Sequence, residues 1–111
     1  MPMATERMIQ IDALVKKELA NALREYFPDL FIAVTEVHVS KDLAHAKVWI
    51  SSPIDSELAL KKCRKEAASL RKYLANHIVA RRVPAINFVI DTTQEKAFHI
   101  ESLIRKIKED K

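Results

Sequence analysis

Glycine is absent from the 111 residues of this chain. Phosphate-binding loops, dinucleotide fingerprints and the G-x-x-G clamp all depend on glycine, because only a residue without a Cβ atom lets the backbone approach a phosphate closely. The sequence therefore predicts no cofactor and no phosphate clamp built from glycine.

Cysteine and long apolar runs are also scarce. Cys63 is the single cysteine, so neither an internal disulfide nor a zinc site built from cysteines can form, a pattern typical of a reducing compartment. No apolar run approaches the roughly 18 residues that a membrane span requires, and residues 1–7 lack the apolar stretch of a secretory signal. We expect a cytoplasmic protein with no membrane segment, stabilised by core packing.

Hydrophobic residues make up 49% of the sequence and charged residues 31%. This composition is too apolar for a disordered tail, and the length suits one compact domain with its own core. We therefore expect a single domain over residues 1–111.

Basic charge is concentrated in one part of the chain. The net charge is +4, but residues 59–90 contain eight basic residues and one acid, Glu66, for a local charge of +7, whereas the remainder carries −3. Solubility alone favours mixed signs, so this concentration predicts binding to a polyanion. Nucleic acid is the leading candidate, and an anionic membrane surface is the weaker one.

Hydrophobic periodicity predicts the order helix, strand, strand, long helix, strand, helix. Steps of three and four residues mark helices over residues 5–27, over residues 55–78 and from residue 92 onward. Alternation with a period of two marks a hairpin over residues 31–51 and a third strand over residues 83–90. Three strands with their helices on one face make a two-layer α+β domain.

A hairpin turn is predicted at residues 40–43, and a loop centred between Lys41 and Asp42 fixes the strand register. Toward the core this register pairs Val39 with Ala44, Val37 with Ala46, Thr35 with Val48 and Ala33 with Ile50. On the opposite face it pairs His38 with His45, Glu36 with Lys47 as an ion pair, and Val34 with Trp49.

The long helix carries most of the basic residues on one side. At about 100° per residue, five of them gather within a sector of roughly 120°, next to the apolar stripe that contains Cys63. We call this set the basic ridge, and it consists of Lys61, Arg64, Lys65, Arg71 and Lys72. Arg81 and Arg82 follow the helix and are expected either to contact the same ligand or to complement the helix dipole.

Three stretches of the sequence resemble the ribosome-binding factor A family. Residues 40–51 (SKDLAHAKVWIS) are similar to its S-x-D-L-x-x-A-x-V hairpin. Residues 70–74 (LRKYL) are similar to its L-R-x-x-L segment, and residues 81–91 (RRVPAINFVID) to its R-x-V-P-x-L-x-F-x-x-D segment. With this order and spacing the resemblance extends from about residue 7 to about residue 107.

The resemblance implies a type II KH-like fold, helix-strand-strand-helix-helix-strand, with a C-terminal helix and a three-stranded sheet. In that family a kink with an A-x-G pattern replaces the glycine clamp, and residues 66–68 stand at the corresponding place. Glu66 replaces the alanine of the pattern and Ala68 replaces the glycine. Because alanine is the best helix former, we expect a shallow kink or none.

The resemblance also implies a function. Members of the family bind the small ribosomal subunit or its precursor, and they assist its late maturation and the processing of the rRNA 5′ end as assembly factors, not as the nuclease. For this chain we expect rRNA binding by the basic ridge together with Arg81, Arg82 and Lys47. We expect a monomer that binds neither DNA nor a membrane, with no catalytic residue and no metal site.

Alternative hypotheses apply to a few residues. His38 and His45 beside Glu36 could bind a metal, although two histidines on a solvated sheet face commonly have no such role. Cys63 and His77 suggest a nucleophile and its base, but Cys63 falls on the apolar stripe and nearly four helical turns separate the two.

Trp49 and Tyr73 could stack on bases, although cross-strand packing against Val34 explains Trp49 equally well.

The alternative function is a protein-interaction or dimerisation module that uses the open sheet face, with the basic helix serving only solubility. An enzyme acting on RNA is the third and weakest hypothesis, because no carboxylate pair, metal-ligand set or nucleophile–base pair converges in the sequence. Binding to rRNA that weakens steeply with salt would distinguish the first function from the second.

Overall fold

The structure is a computed structural model that describes residues 2–79 and 82–93, with side chains described from Gln10 onward. The elements in chain order are α1 (Pro2–Tyr26), a 3₁₀ turn (Pro28–Leu30), β1 (Ala33–Val39), β2 (His45–Ser51), α2 (Ser56–Lys65), α3 (Ala67–His77) and β3 (Ala85–Ile90). Beyond Thr93, the helix predicted from residue 92 onward lies outside the described residues.

The three strands form one mixed sheet in the order β1-β2-β3. β1 and β2 are antiparallel, whereas β3 is parallel to β2, which requires the crossover that α2 and α3 provide. α1 packs on β1, α2 and α3 pack on β3, and α3 packs on α1. One continuous core joins the buried residues of these elements. The predicted two-layer α+β fold is confirmed.

The side of α1 that faces the sheet is set by apolar residues at helical spacing. Four of them are buried in the core: Val15, Leu19, Ala22 and Leu23. On the same helix, the Asp12 carboxylate accepts a hydrogen bond from the Val39 backbone N–H at 2.9 Å. This bond satisfies a backbone donor at the end of edge strand β1 and fixes α1 against the hairpin.

The turn between β1 and β2 is built by the serine and the aspartate of the hairpin motif. The Ser40 N–H donates to the His45 carbonyl at 2.8 Å, and the Leu43 N–H donates to the Ser40 carbonyl at 2.9 Å. The Asp42 carboxylate accepts from the Ser40 hydroxyl at 2.7 Å and from the Ala44 N–H at 3.1 Å. These bonds lower the pKa of Asp42, and Leu43 closes the turn with a left-handed backbone (φ 61°).

The predicted hairpin register is wrong because the loop lies one residue further along the chain. Ser40 pairs with His45, so the loop spans residues 41–44 and not a segment centred between Lys41 and Asp42. The strands consequently pair Val39 with Ala46, His38 with Lys47, Val37 with Val48, Glu36 with Trp49, Val34 with Ile50 and Ala33 with Ser51.

A bulge in β1 further changes which residues face the core. The register shifts between Val34 and Glu36, and the extra residue, Thr35, is exposed whereas Val34 is buried. The predicted register placed Thr35 toward the core and Val34 on the exposed face, which is the reverse of the observed arrangement. Glu36 lies opposite Trp49 and not opposite Lys47, so the predicted ion pair is also wrong.

The long helix predicted after the hairpin is divided at Glu66, whose backbone (φ −98°, ψ 16°) departs from helical values. The break occurs although alanine occupies position 68, so of the two expected outcomes, a shallow kink or none, the absence of a kink is wrong. α2 packs on β2 and β3, whereas α3 packs on α1 and β3. Both halves pack on β3, but their second contacts differ, β2 for α2 and α1 for α3, so core packing outweighs the helix propensity of single residues.

Candidate nucleic-acid interface

The basic ridge lies on the exposed side of α2 and α3. The Asp55 carboxylate begins α2 by accepting a hydrogen bond from the Leu58 N–H at 3.0 Å. Ala59 and Cys63 of α2 and Leu70 and Leu74 of α3 are buried, which determines the side that faces solvent. All five ridge residues are exposed: Lys61, Arg64, Lys65, Arg71 and Lys72.

Two arginines of the basic ridge reach the edge of the sheet. Arg64 Nη2 donates to the Phe88 carbonyl at 3.3 Å, and Arg71 donates through Nε and Nη2 to the Val83 carbonyl at 3.1 and 2.8 Å. A guanidinium carries five N–H donors, so both arginines keep donors for a ligand. The bonds hold two positive charges beside edge strand β3.

These contacts could not be predicted from the sequence. The helical wheel gives the side of the helix on which Arg64 and Arg71 lie, but it does not show that β3 runs beside that side. The acceptors of Arg64 and Arg71 lie 24 and 12 residues further along the chain, and only the tertiary fold brings them close.

The N-terminal part of the basic ridge borders an open depression of about 370 Å³, to which Lys61 and Arg64 both contribute. Lys62 lies elsewhere, with its Nζ 5.9 Å from the centre of the Phe27 ring. At about 100° per residue, Lys62 also falls outside the sector of the five ridge residues.

Arg82 is exposed and directly precedes the Val83 carbonyl that Arg71 holds, so its backbone lies beside the α3 end of the basic ridge. Its side chain borders an apolar groove of about 290 Å³ between α1 and the end of α3, which Leu14 and Val79 also line. The sequence did not predict this groove. Arg81 lies outside the described residues, so its expected RNA contact stays a prediction.

Lys47 does not join the basic ridge. Its neighbours Ala46 and Val48 along β2 are buried, whereas Lys47 is exposed, so it points away from the helices. Its Nζ lies 5.0 Å from the centre of the Trp49 ring. The structure therefore places Lys47 on the face of the sheet opposite the helices that carry the basic ridge.

Trp49 and Tyr73 have different surroundings. Trp49 lies edge-on to His38, with ring centres 5.1 Å apart and an interplanar angle of 69°. Tyr73 is stacked on His77 at 3.9 Å and 11°, so the imidazole occupies one face of its ring. Burial and the negative charges of Glu25 and Glu18 raise the pKa of Tyr73.

The structure does not support the alternative metal site at His38 or the alternative nucleophile Cys63. His38 Nε2 contacts the Glu36 carboxylate at 2.8 Å, and in the described ranges no three histidine, cysteine, aspartate or glutamate side chains come together as a metal site. Cys63 is fully buried in the core, and burial raises the pKa of its thiol to about 12. A thiol with this pKa is not a nucleophile at neutral pH, and its complete burial confirms Cys63 as a core residue.

The antiparallel hairpin, the α2–α3 crossover and parallel strand β3 define a small KH-like α+β protein with a cationic helical surface. The sequence profile described as ribosome-binding factor A matches residues 7–104. Ribosome-binding factor A of Clostridium perfringens is 35% identical over 96% of this chain and 99% of its own length. The chain belongs to the ribosome-binding factor A family.

Solved structures agree with this membership. The crystal structure of ribosome-binding factor A from Thermus thermophilus is similar with a TM-score of 0.69 and 27% identity, over 75% of this chain and 93% of that one. A Thermus thermophilus homology model fitted into a cryo-EM map of a 30S–RbfA complex gives a TM-score of 0.64 and 28% identity, over 72% and 90% of the two chains. None of the helices in residues 2–79 and 82–93 is long and apolar enough to cross a membrane.

Proposed function

We propose that this protein is an assembly factor of the small ribosomal subunit that binds rRNA through the basic ridge. In this role it assists late maturation of the subunit and processing of the rRNA 5′ end. The observation that carries the proposal is that the Phe88 carbonyl of β3 and the Val83 carbonyl just before β3 hold the guanidinium groups of Arg64 and Arg71. Lys65 and Lys72, each directly after one of these arginines in the chain, are exposed. The 30S complex of the Thermus thermophilus relative supports the small subunit as the partner.

The chemistry of such a surface is electrostatic and geometric. Lysine and arginine side chains neutralise phosphates and release counterions, so the affinity is high at low salt and falls steeply as salt rises. A folded RNA helix is recognised mainly by its shape and its backbone. The arginine–carbonyl bonds limit the motion of two guanidinium groups before RNA arrives, which lowers the entropy lost on binding.

Several further properties belong to the same proposal. We infer a single KH-like domain over residues 1–111 that acts as a cytoplasmic monomer, binds neither DNA nor membranes and has no enzymatic activity of its own. The composition, the single cysteine and the family support this proposal.

Co-sedimentation with purified ribosomal subunits tests the proposal. The variant Lys65→Glu/Lys72→Glu reverses two ridge charges that are exposed on α2 and α3. The matched control Lys16→Glu/Lys17→Glu makes the same charge change at two exposed positions of α1. Each protein is mixed with small or large subunits at low and high salt, and circular dichroism checks that the variants remain folded.

We expect the wild type and the α1 control to pellet with small subunits at low salt, and the ridge variant to remain largely in the supernatant. The slope of log affinity against log salt should fall by about one for each lost lysine contact. Equal binding by the ridge variant and the α1 control would contradict the ridge as the binding site. Wild type that pellets with neither subunit would contradict the proposed partner.

A further inference from the structure

The face of the sheet opposite the helices carries a polar and aromatic cluster at its centre. Strand register places His38, Lys47 and Asn87 in one row across β1, β2 and β3. The next row consists of Glu36, Trp49 and Val89. The described helices pack on the other face, and His38, Lys47 and Asn87 are exposed.

Trp49 is held in place at the middle of this face. It stands on central strand β2, half-buried, with the His38 ring edge-on at 5.1 Å. The Lys47 ammonium lies 5.0 Å from the ring centre, an attractive arrangement of a cation and a π-system. The Lys47 ammonium therefore occupies the space over the indole, and a ligand that binds there can displace it.

The carboxylates on this side of the sheet are bound by neighbouring side chains. The Glu36 carboxylate contacts His38 Nε2 at 2.8 Å, and the Asp91 carboxylate accepts a hydrogen bond from the Thr35 hydroxyl at 2.6 Å. Lys47, in contrast, contacts the indole. Neither Glu36 nor Asp91 neutralises Lys47, so its charge can attract an anionic ligand beside Trp49.

The composition of this cluster favours an unpaired nucleotide over a protein partner. The core of a protein interface is depleted in charged residues, whereas exposed histidine, lysine and asparagine surround Trp49 here. An indole face stacks on any base, an ammonium binds the adjoining phosphate, and an asparagine amide offers both a donor and an acceptor to a base edge. Trp49, Lys47 and Asn87 supply these three groups on adjacent strand positions.

We propose that the open sheet face is a second RNA site, in which an unpaired base stacks on Trp49 while Lys47 leaves the indole to bind the adjoining phosphate. This inference rests on the proposed function and deepens it. The basic ridge holds the RNA backbone on one side of the protein, and the sheet face holds a single-stranded nucleotide on the other.

The test uses Trp49 as its own reporter, because it is the only tryptophan of the chain. The full chain is titrated at low ionic strength with a short single-stranded RNA and, in parallel, with an abasic ribose-phosphate oligomer of equal length. A stacked base quenches indole fluorescence, so we expect saturable quenching by the RNA and none by the abasic oligomer. Equal quenching by both oligomers, or none by either, would overturn the proposal.

A second measurement uses variants and fluorescein-labelled RNA. Trp49→Leu keeps an apolar side chain but removes the stacking surface, and we expect the affinity for the short RNA to fall about tenfold. The matched control is Phe31→Leu, which removes an aromatic ring that is 67% exposed elsewhere on the surface. An unchanged affinity for Trp49→Leu would also overturn the proposal.

The ridge variant Lys65→Glu/Lys72→Glu separates this inference from the proposed function. It should lose small-subunit binding while its Trp49 is still quenched by the short RNA. If the ridge variant loses the subunit but no RNA quenches Trp49, only the second site fails. If the wild type binds no subunit, the proposed function fails, and quenching by RNA then stands as an independent result.

Discussion

Asp91 shows how one side chain can link the two edge strands of the sheet. It lies directly after β3, and its carboxylate accepts hydrogen bonds from the Thr35 hydroxyl at 2.6 Å and from the Thr93 N–H at 2.9 Å. Together with the Thr93 hydroxyl, these donors lower the pKa of Asp91 to about 2. Thr35 reaches Asp91 because the bulge turns it to the open face.

Replacing Thr35 by valine should weaken the pH dependence of stability in acid. A carboxyl with a lowered folded-state pKa stabilises the fold above its unfolded pKa of about 3.9. This stabilisation is lost as the pH falls through the folded value of about 2. We therefore expect the free energy of unfolding to fall less for Thr35→Val than for wild type as the pH falls from about 4 to about 2.

Urea unfolding followed by circular dichroism at several acidic pH values measures this difference. The control is Thr92→Val, which removes a hydroxyl that is not among the groups that shift the pKa of Asp91. If the free energy of unfolding of Thr35→Val depends on pH as that of the wild type does, the hydrogen bond from Thr35 to Asp91 does not act through the charge of Asp91.

At the scale of secondary structure, the division between α2 and α3 raises the question of position 68. The chain has alanine there, and the break at Glu66 is nevertheless present. The break follows from the different packing of the two helices, so a glycine is not needed to create it.

Ala68→Gly should therefore destabilise the protein without improving binding. Glycine inside a helix costs roughly 0.5–1 kcal/mol relative to alanine, and Ala68 is an exposed residue of α3. The matched control, Ala75→Gly, makes the same change at another exposed position of α3. Thermal or urea unfolding should give similar losses for both variants, with small-subunit co-sedimentation unchanged. A gain in stability for Ala68→Gly alone would mean that alanine strains the break.

The sequence predicted elements that depend on local periodicity and missed features that depend on packing. The first helix, the helical segment after the hairpin, the three strands and the buried Cys63 follow from residue spacing, and the described residues contain them. The bulge at Thr35 was missed because the residues before it and the residues after it each still alternate with a period of two. Periodicity alone predicted one long helix through Glu66, and only the family resemblance indicated a kink at residues 66–68, because the break depends on which elements α2 and α3 pack against.

The same limit applies to the candidate site. Helical spacing was sufficient to place the five ridge residues on one exposed side of α2 and α3. The period-two pattern of β2 also placed Lys47 on the face opposite the core, and the structure keeps it apart from the ridge on that face. Neither pattern could show that Arg64 and Arg71 contact the edge of β3.

For the molecule as a whole, the basic ridge and Trp49 lie on opposite sides of the sheet. Changes at distant sites that share no contact add in free energy to within about 0.3–0.5 kcal/mol. We therefore expect Lys65→Glu/Lys72→Glu and Trp49→Leu to weaken small-subunit binding additively. Dissociation constants of the wild type, the two variants and their combination test this expectation. A combined loss well below the sum would indicate that one RNA segment contacts both surfaces.

The arginine–carbonyl bonds at β3 also bear on how the protein behaves when it is concentrated. An edge strand exposes backbone groups that can pair with a strand of another molecule, and charged side chains on that edge hinder such aggregation. Arg64 occupies the Phe88 carbonyl of β3, and Arg71 occupies the Val83 carbonyl just before the strand, so residues proposed to bind RNA also shield this edge. A phosphate bound by the remaining donors of these two arginines would add RNA over the same edge, so the edge would stay protected with and without RNA.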